Sequence, residues 1–134
     1  EYTWPASLGI MGWEVMEEGL KAIFSRDIPG LVRKHLREVA TAFLARNGLT
    51  IDDVGAFVCH PGGAKVVTAL EEAFGLAEGT LTEARRILRN YGNMSSPTVL
   101  FVLRALLRKQ VRRRMLLTAM GPGFTAGFLV LDNR

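Results

Sequence analysis

Apolar positions along the chain predict an alternation of helices and strands. Pro29 opens the clearest helix, in which apolar residues recur at helical spacing until Gly48 ends it. Val54–Cys59 is a nearly continuous apolar run, which is typical of a strand buried on both faces. Ala64–Phe74 returns to helical spacing and is closed by Gly75. The middle of the chain is therefore predicted to pass from helix to strand to helix.

Further strands are predicted both before and after this central segment of the chain. Residues 1–12 contain Pro and Gly and are expected to form loops. Two short apolar runs around Glu17-Glu18-Gly19 then predict a β-hairpin. The later segments are two further helices and two strands, at Thr82–Asn90, Ser96–Lys109, Met115–Met120 and Ala126–Leu131. The order ββ-α-β-α-α-α-β-β predicts an α/β fold in which helices layer on a mixed sheet.

Capping residues mark the starts of three of these segments. Thr82 and Ser96 are expected N-caps, because their hydroxyl oxygens accept hydrogen bonds from the first amides of a helix. Thr50 with Asp53 predicts a short capped turn. The run Val99–Leu103 is apolar almost all round, which predicts that the last helix is buried.

Composition narrows the class of protein. The 134 residues predict one domain, 1–134, and the 49% hydrophobic and 22% charged fractions are ordinary for a globular protein. A single Cys excludes an internal disulfide framework and fits the reducing cytoplasm. No apolar run reaches the roughly 18 residues of a membrane span, and we expect no signal peptide. Because the chain starts at Glu1 rather than Met, we expect it to be a piece of a longer one.

The net charge of +4 raises the question of nucleic-acid binding. Much of the excess lies in one segment near the C-terminus, at Arg104, Arg108, Lys109, Arg112, Arg113 and Arg114. Cations at a helix end complement the macrodipole and stay solvated. No aromatic residues alternate with them, as they do in many single-strand binding grooves. We therefore expect no nucleic-acid partner.

The candidate chemistry begins at His60. It follows the predicted buried strand and precedes Pro61-Gly62-Gly63, a sequence that lets backbone or ligand approach closely. In open α/β sheets, ligands bind beyond the carboxyl ends of the strands. The alternative role is that of a structural His bonded to a backbone carbonyl.

Asn93 lies in a second glycine-marked turn, between Gly92 and the start of a helix. A turn Asn commonly bonds its own backbone, but its amide is also a neutral donor for a developing oxyanion. Considered together on two converging turns, His60 and Asn93 predict a two-donor site. No activated nucleophile accompanies them: neighbouring strand residues point to opposite faces, so Cys59 is expected in the core. No metal is expected, because His35 and His60 lack partners at ligand spacing.

Three motifs and two shorter segments resemble the C-terminal part of the type III polyketide synthases, the chalcone and stilbene synthase family of the thiolase fold. The matching segments are Cys59–Gly63, Tyr91–Ser96, Gly121–Thr125, Ile28–Leu31 and Met11–Trp13. The resemblance covers nearly the whole chain in the right order. It departs at Ala119-Met120, where the family usually has Gly-Phe, and at Ala22, where plant members carry a gating Phe.

The resemblance implies a Cys-His-Asn catalytic set in which His60 and Asn93 are the His and the Asn. They would hold the thioester carbonyl of malonyl-CoA while it loses carbon dioxide, and would stabilise the tetrahedral intermediate of acyl transfer. The positions implied to border the CoA tunnel or shape the cyclisation cavity are Gly62, Gly63, Lys65, Ser95, Gly121, Pro122 and Gly123.

The resemblance further implies acyl-CoA and malonyl-CoA as substrates, no other cofactor, and a cytoplasmic homodimer when full length. The nucleophilic Cys would belong to an N-terminal domain absent from these residues, so the chain alone is expected to be inactive. Two alternatives stay open: a non-catalytic binding module that kept the thiolase-like scaffold, and a carrier-protein-dependent condensing enzyme of the β-ketoacyl synthase type.

Overall fold

The computed structural model describes residues 1–111 and 113–133. Its strands are β1 (Tyr2–Thr3), β2 (Met11–Met16), β3 (Gly19–Phe24), β4 (Ala56–Cys59), β5 (Arg114–Gly121) and β6 (Thr125–Asp132). Its α-helices are α1 (Ile28–Arg46), α2 (Ala64–Phe74), α3 (Thr82–Tyr91) and α4 (Pro97–Arg108). The predicted order of elements is confirmed. The expectation of loops throughout residues 1–12 is wrong, because β1 and the start of β2 lie there.

The sheet is mixed, as the sequence predicts. Its four strands lie in the order β1-β6-β5-β4, and β2 pairs with β3 in a separate hairpin. β4 runs parallel to β5, with Cys59 opposite Thr118, whereas β5 and β6 are antiparallel. Parallel pairing needs a long crossover, and the segment containing α2, α3 and α4 supplies it. The carboxyl ends of β4 and β5 therefore meet at one edge of the sheet.

The core forms where α1 and α2 cover this sheet. Val32, Leu36, Ala40 and Leu44 recur every fourth residue along α1 and are buried, which gives the helix one continuous apolar stripe. Gly48, with a positive φ of 69°, follows this helix as predicted.

The last helix is buried on one face only. Val99 and Val102 lie in the core, but Leu100 is 57% exposed and Leu107 is also exposed. The prediction of a helix buried almost all round is therefore wrong for the described chain. The contacts of α4 are with α3, β4 and β5, and they leave an apolar face uncovered.

Two of the three predicted side-chain caps are wrong. Thr82 is the first residue of α3 rather than its cap, and its hydroxyl donates to the Gly79 carbonyl at 2.9 Å. Ser96 occupies the cap position of α4 with helical backbone angles, and its side chain makes no cap bond. The third prediction is confirmed, because the Asp53 carboxylate accepts hydrogen bonds from both the amide and the hydroxyl of Thr50.

A buried carboxylate joins α2 to α3. Glu71 is 1% exposed; its carboxylate pairs with Arg85 and accepts a 2.9 Å hydrogen bond from the Leu81 amide. Burial opposes ionisation of Glu71, but these donors outweigh it and lower the pKa of its carboxyl. The contact fixes the start of α3, and with it the path toward the turn of Asn93.

The basic segment near the C-terminus is partly paired within the fold. Lys109 pairs with Glu83, and Arg114 lies 3.8 Å from both Asp53 and Asp132. Arg112 lies outside the described residues. The two ion-paired side chains therefore have structural roles. Among the described residues, no helix is both long and apolar enough to cross a membrane.

Candidate active site

His60 stands where β4 ends. Its amide donates to the Thr118 carbonyl at 2.9 Å, which continues the parallel ladder one residue beyond the strand. The Gly62 amide then donates to the His60 carbonyl at 3.1 Å and closes a tight turn into α2. The residue is 9% exposed. The strand and the turn thus hold the imidazole at the carboxyl edge of the sheet, as predicted.

The surroundings of the imidazole favour its neutral form. Burial lowers the pKa of His60 below its usual value, because the charged ring loses hydration. Nδ1 is buried without a hydrogen-bond partner among the described residues. Since an orphaned buried N–H is rarer than an orphaned acceptor, we assign the single proton of the neutral ring to Nε2. His60 then presents one N–H donor on its Nε2 edge.

Gly62 lies directly against that edge. A Cβ built on Gly62 would stand 3.8 Å from Cδ2 and 3.9 Å from Nε2 of His60. These are ordinary contact distances, so a Cβ would fit in contact with this edge of the ring. Glycine at this position adds no side-chain atoms beside Nε2.

The turn of Asn93 contacts the turn of His60. The Asn93 amide nitrogen Nδ2 donates to the Gly62 carbonyl at 3.1 Å, across 31 residues of sequence. Its Oδ1 accepts a 2.9 Å hydrogen bond from the Ser95 amide. The expectation that the two turns converge is confirmed. The second N–H of the Asn93 amide stays available to a ligand, and the side chain is exposed to receive one.

Thr98 holds this second turn in an uncommon conformation. Ser95 has a positive φ of 63°, which is uncommon for residues other than Gly and Asn. The buried Thr98 hydroxyl accepts from the Met94 amide at 2.9 Å and donates to the Ser95 carbonyl at 2.8 Å. Such backbone strain persists where surrounding bonds over-determine it, often at functional sites. Sequence reasoning missed Thr98; its three-residue spacing from Ser95 is the only local signal.

The Gly121-Pro122-Gly123 segment begins at the last residue of β5, at the same edge of the sheet. The Gly123 amide donates to the Met11 carbonyl at 2.8 Å, and the Ser7 hydroxyl donates to the Gly123 carbonyl at 2.6 Å. Phe124 beyond it is buried against Trp4, with ring centroids 4.7 Å apart. The N-terminal residues and the hairpin thus hold the loop in place. Sequence reasoning did not identify Ser7 as its anchor.

Lys65 lies in the first turn of α2, two residues after Gly63, and its side chain is exposed. It lines a cavity that reaches across to the first turn of α1. The residues implied to border the substrate thus fall into two groups. One surrounds the His60 turn, and the other lies in the loop beyond β5.

Cys59 does not belong to the site. Its side chain is fully buried, and burial raises the pKa of its thiol. A thiol in this state is a poor nucleophile, so Cys59 is a core residue, as predicted. It is the only cysteine of the 134 residues.

The lowered pKa of His60 predicts a pH dependence of stability. At pH values between the lowered pKa of His60 in the folded chain and the ordinary value of 6.5, the unfolded chain binds more protons than the folded chain. The free energy of unfolding should therefore fall as the pH drops below 6.5 and level off at the folded pKa. Urea unfolding between about pH 7.5 and about pH 5 measures this. The fall in the free energy of unfolding below pH 6.5 should be lost in His60→Gln and retained in His35→Gln. Equal slopes of this free energy against pH in the wild type and both variants would contradict the lowered pKa of His60.

The chain matches the model of the C-terminal domain of chalcone and stilbene synthases over residues 2–133. "Putative chalcone synthase" of Bacillus subtilis (strain 168) is 42% identical over 126 residues, which cover 92% of this chain and 34% of that protein. The 1,3,6,8-tetrahydroxynaphthalene synthase of Streptomyces peucetius subsp. caesius is 38% identical over 97% of this chain and 35% of its own. The chain thus spans about a third of the length of these relatives.

Two solved structures have the same fold as this chain. A fungal type III polyketide synthase, ORAS, superposes with a TM-score of 0.86 at 26% identity, over 99% of this chain and 39% of its own. The match to PKS-I of the brown alga Ectocarpus siliculosus has a TM-score of 0.88 at 24% identity, over 99% and 38%, and shows the shared fold. The four-stranded mixed sheet with its helices is therefore the thiolase-like α/β fold of these enzymes. The chain belongs to the chalcone and stilbene synthase family, the type III polyketide synthases, and is the C-terminal domain of such a protein.

Proposed function

We propose that this domain supplies the oxyanion-binding donors of a type III polyketide synthase. One observation carries the proposal: Asn93 Nδ2 donates to the carbonyl of Gly62, the residue that also borders the Nε2 edge of His60. Two neutral N–H donors therefore stand beside one turn, at the edge of the sheet where α/β proteins bind ligands. Preorganised donors of this kind stabilise negative charge on a carbonyl oxygen without reorganising during the reaction.

The reaction that fits these donors is the decarboxylation of a malonyl thioester. The bond between the carboxylate and the methylene carbon breaks, carbon dioxide leaves, and the electron pair moves onto the thioester oxygen as an enolate. His60 Nε2–H and Asn93 Nδ2–H hydrogen-bond to that oxygen. The enolate carbon then attacks an acyl thioester and expels its thiolate, and the same donors stabilise the tetrahedral intermediate.

The acyl group in this proposal is carried by a thiol outside the 134 residues. Cys59 is buried and carries a raised pKa, so it does not serve as the acyl carrier. The relatives are about three times as long as this chain, which leaves room for such a residue. Family membership supports a cytoplasmic homodimer that uses acyl-CoA and malonyl-CoA without a further cofactor. Gly62, Gly63, Lys65, Ser95 and the Gly121–Gly123 loop would border those substrates.

The test compares two proteins. A full-length protein carrying this domain, incubated with malonyl-CoA and an acyl-CoA starter, should release carbon dioxide and form a polyketide detectable by mass spectrometry. The 134-residue chain alone should do neither. Conversion by the short chain at the full-length rate would contradict the requirement for an outside thiol. Binding of thioesters by the full-length protein without turnover would favour a binding module, and turnover of carrier-protein thioesters alone would favour a carrier-dependent condensing enzyme.

A further inference from the structure

The turn that carries Asn93 joins α3 to α4 at the tip of a helix hairpin. At the other end of the hairpin, Glu83 in the first turn of α3 pairs with Lys109, which directly follows α4. Glu83 is buried and also pairs with Arg86 at 2.7 Å. The two helices therefore run antiparallel, and this ion pair fixes the end of the hairpin that lies away from the turn.

Two aromatic side chains meet at the tip of this hairpin. Tyr91 is the last residue of α3, and Phe101 lies in the second turn of α4. Their ring centroids are 5.9 Å apart and the ring planes are inclined at 47°, within the range of favourable aromatic pairs. Both side chains are exposed in the described chain. The pair thus joins the two helices beside the turn without belonging to the buried core.

The turn between these rings has an uncommon backbone conformation. Gly92 has a positive φ of 71° and Ser95 one of 63°, and such values persist where the surrounding contacts enforce them. Within the turn, these contacts are the hydrogen bonds of Asn93 and Thr98. The aromatic pair adds a contact between the helices on either side. If it were lost, the turn would open more often and the Asn93 amide would leave the Gly62 carbonyl.

We propose that Tyr91 and Phe101 are positioning residues that hold the Asn93 amide in place. The inference rests on the proposed function, because it concerns how one of the two oxyanion donors is held. The rings act through Asn93: they keep the end of α3 against the start of α4, so that the turn between them takes one conformation. Such donors are effective because they are preorganised, and a donor that is in place only part of the time lowers the rate in proportion.

The test is Tyr91→Ala in the full-length protein, with Tyr91→Phe and Leu107→Ala as controls. Loss of the ring should lower kcat for malonyl-CoA decarboxylation about fivefold with little change in KM. Tyr91→Phe keeps the ring and should keep the wild-type kcat. Leu107→Ala removes an exposed apolar side chain near the far end of α4 and should keep it too. An unchanged kcat in Tyr91→Ala, or an equal loss in either control, would overturn the inference.

A double variant distinguishes the positioning of Asn93 from a general loss of structure. In the Asn93→Ala background the donor is already missing, so Tyr91→Ala should lower kcat no further. Phe101→Ala should behave in the same way, because the two rings form one contact. A further fivefold loss in the Asn93→Ala background would mean that the rings act elsewhere, and the inference would be wrong.

Hydrogen exchange followed by mass spectrometry tests the aromatic contact without any turnover. In full-length Tyr91→Ala, peptides covering residues 92–98 should exchange about fivefold faster than in Leu107→Ala, because the Met94 and Ser95 amides lose their hydrogen bonds when the turn opens. This result would support the role of the rings even if the protein turned over no thioester. Equal exchange in the two variants would refute that role and leave the proposed function intact.

Discussion

Replacing Asn93 by Ala in the full-length synthase should lower kcat for malonyl-CoA decarboxylation by about 10²–10³-fold, the usual effect of removing one oxyanion donor. KM should change far less, because the hydrogen bond strengthens as charge develops on the thioester oxygen. The release of carbon dioxide measures the rate. Asn90→Ala is the matched control, since it removes the same side chain from an exposed position three residues earlier.

Asn93 also holds its own turn, so the variant needs a second readout. The side chain bonds to the Gly62 carbonyl and the Ser95 amide, and losing both bonds would loosen the turn as well as the donor. Asn93→Asp retains an acceptor for the Ser95 amide but no Nδ2–H. The proposal requires both variants to be slow. A fast Asn93→Asp enzyme would mean that Asn93 only positions the turn.

Replacing Glu71 by Ala should lower the free energy of unfolding of this chain by about 3 kcal/mol. The change leaves the Arg85 guanidinium and the buried Leu81 amide without their acceptor, and unsatisfied buried donors are costly. This loss lies at the lower end of the range for breaking a buried ion pair, because Arg85 is about one-third exposed. Urea unfolding followed by circular dichroism measures the loss.

The adjacent glutamate provides the control for this prediction. Glu72 pairs with Arg33, but both side chains are about half exposed, so Glu72→Ala should cost less than about 1 kcal/mol. Equal losses in the two variants would show that the Glu71 contact is no stronger than a surface pair.

The elements follow closely from local sequence signals. Gly48 and Gly75 end α1 and α2 because each takes the left-handed conformation that glycine adopts easily. The sequence prediction was wrong where the outcome depends on which elements pack against each other. Val99–Leu103 is apolar on all sides, but whether a helix face is covered depends on which elements pack against it, and here only one face is.

The sequence by itself determined the turn after His60, the strand that ends in the buried residues Val58 and Cys59, and the exclusion of Cys59 from the site, since each depends on residues adjacent in the chain. It also indicated Asn93 as a donor. Only the tertiary structure decided that Asn93 reaches the Gly62 carbonyl and that cations of α1 share a cavity with Lys65. The physical reason is that the parallel pairing of β4 and β5 and the packing of α1 on α2 bring distant residues together. Local spacing does not encode such contacts.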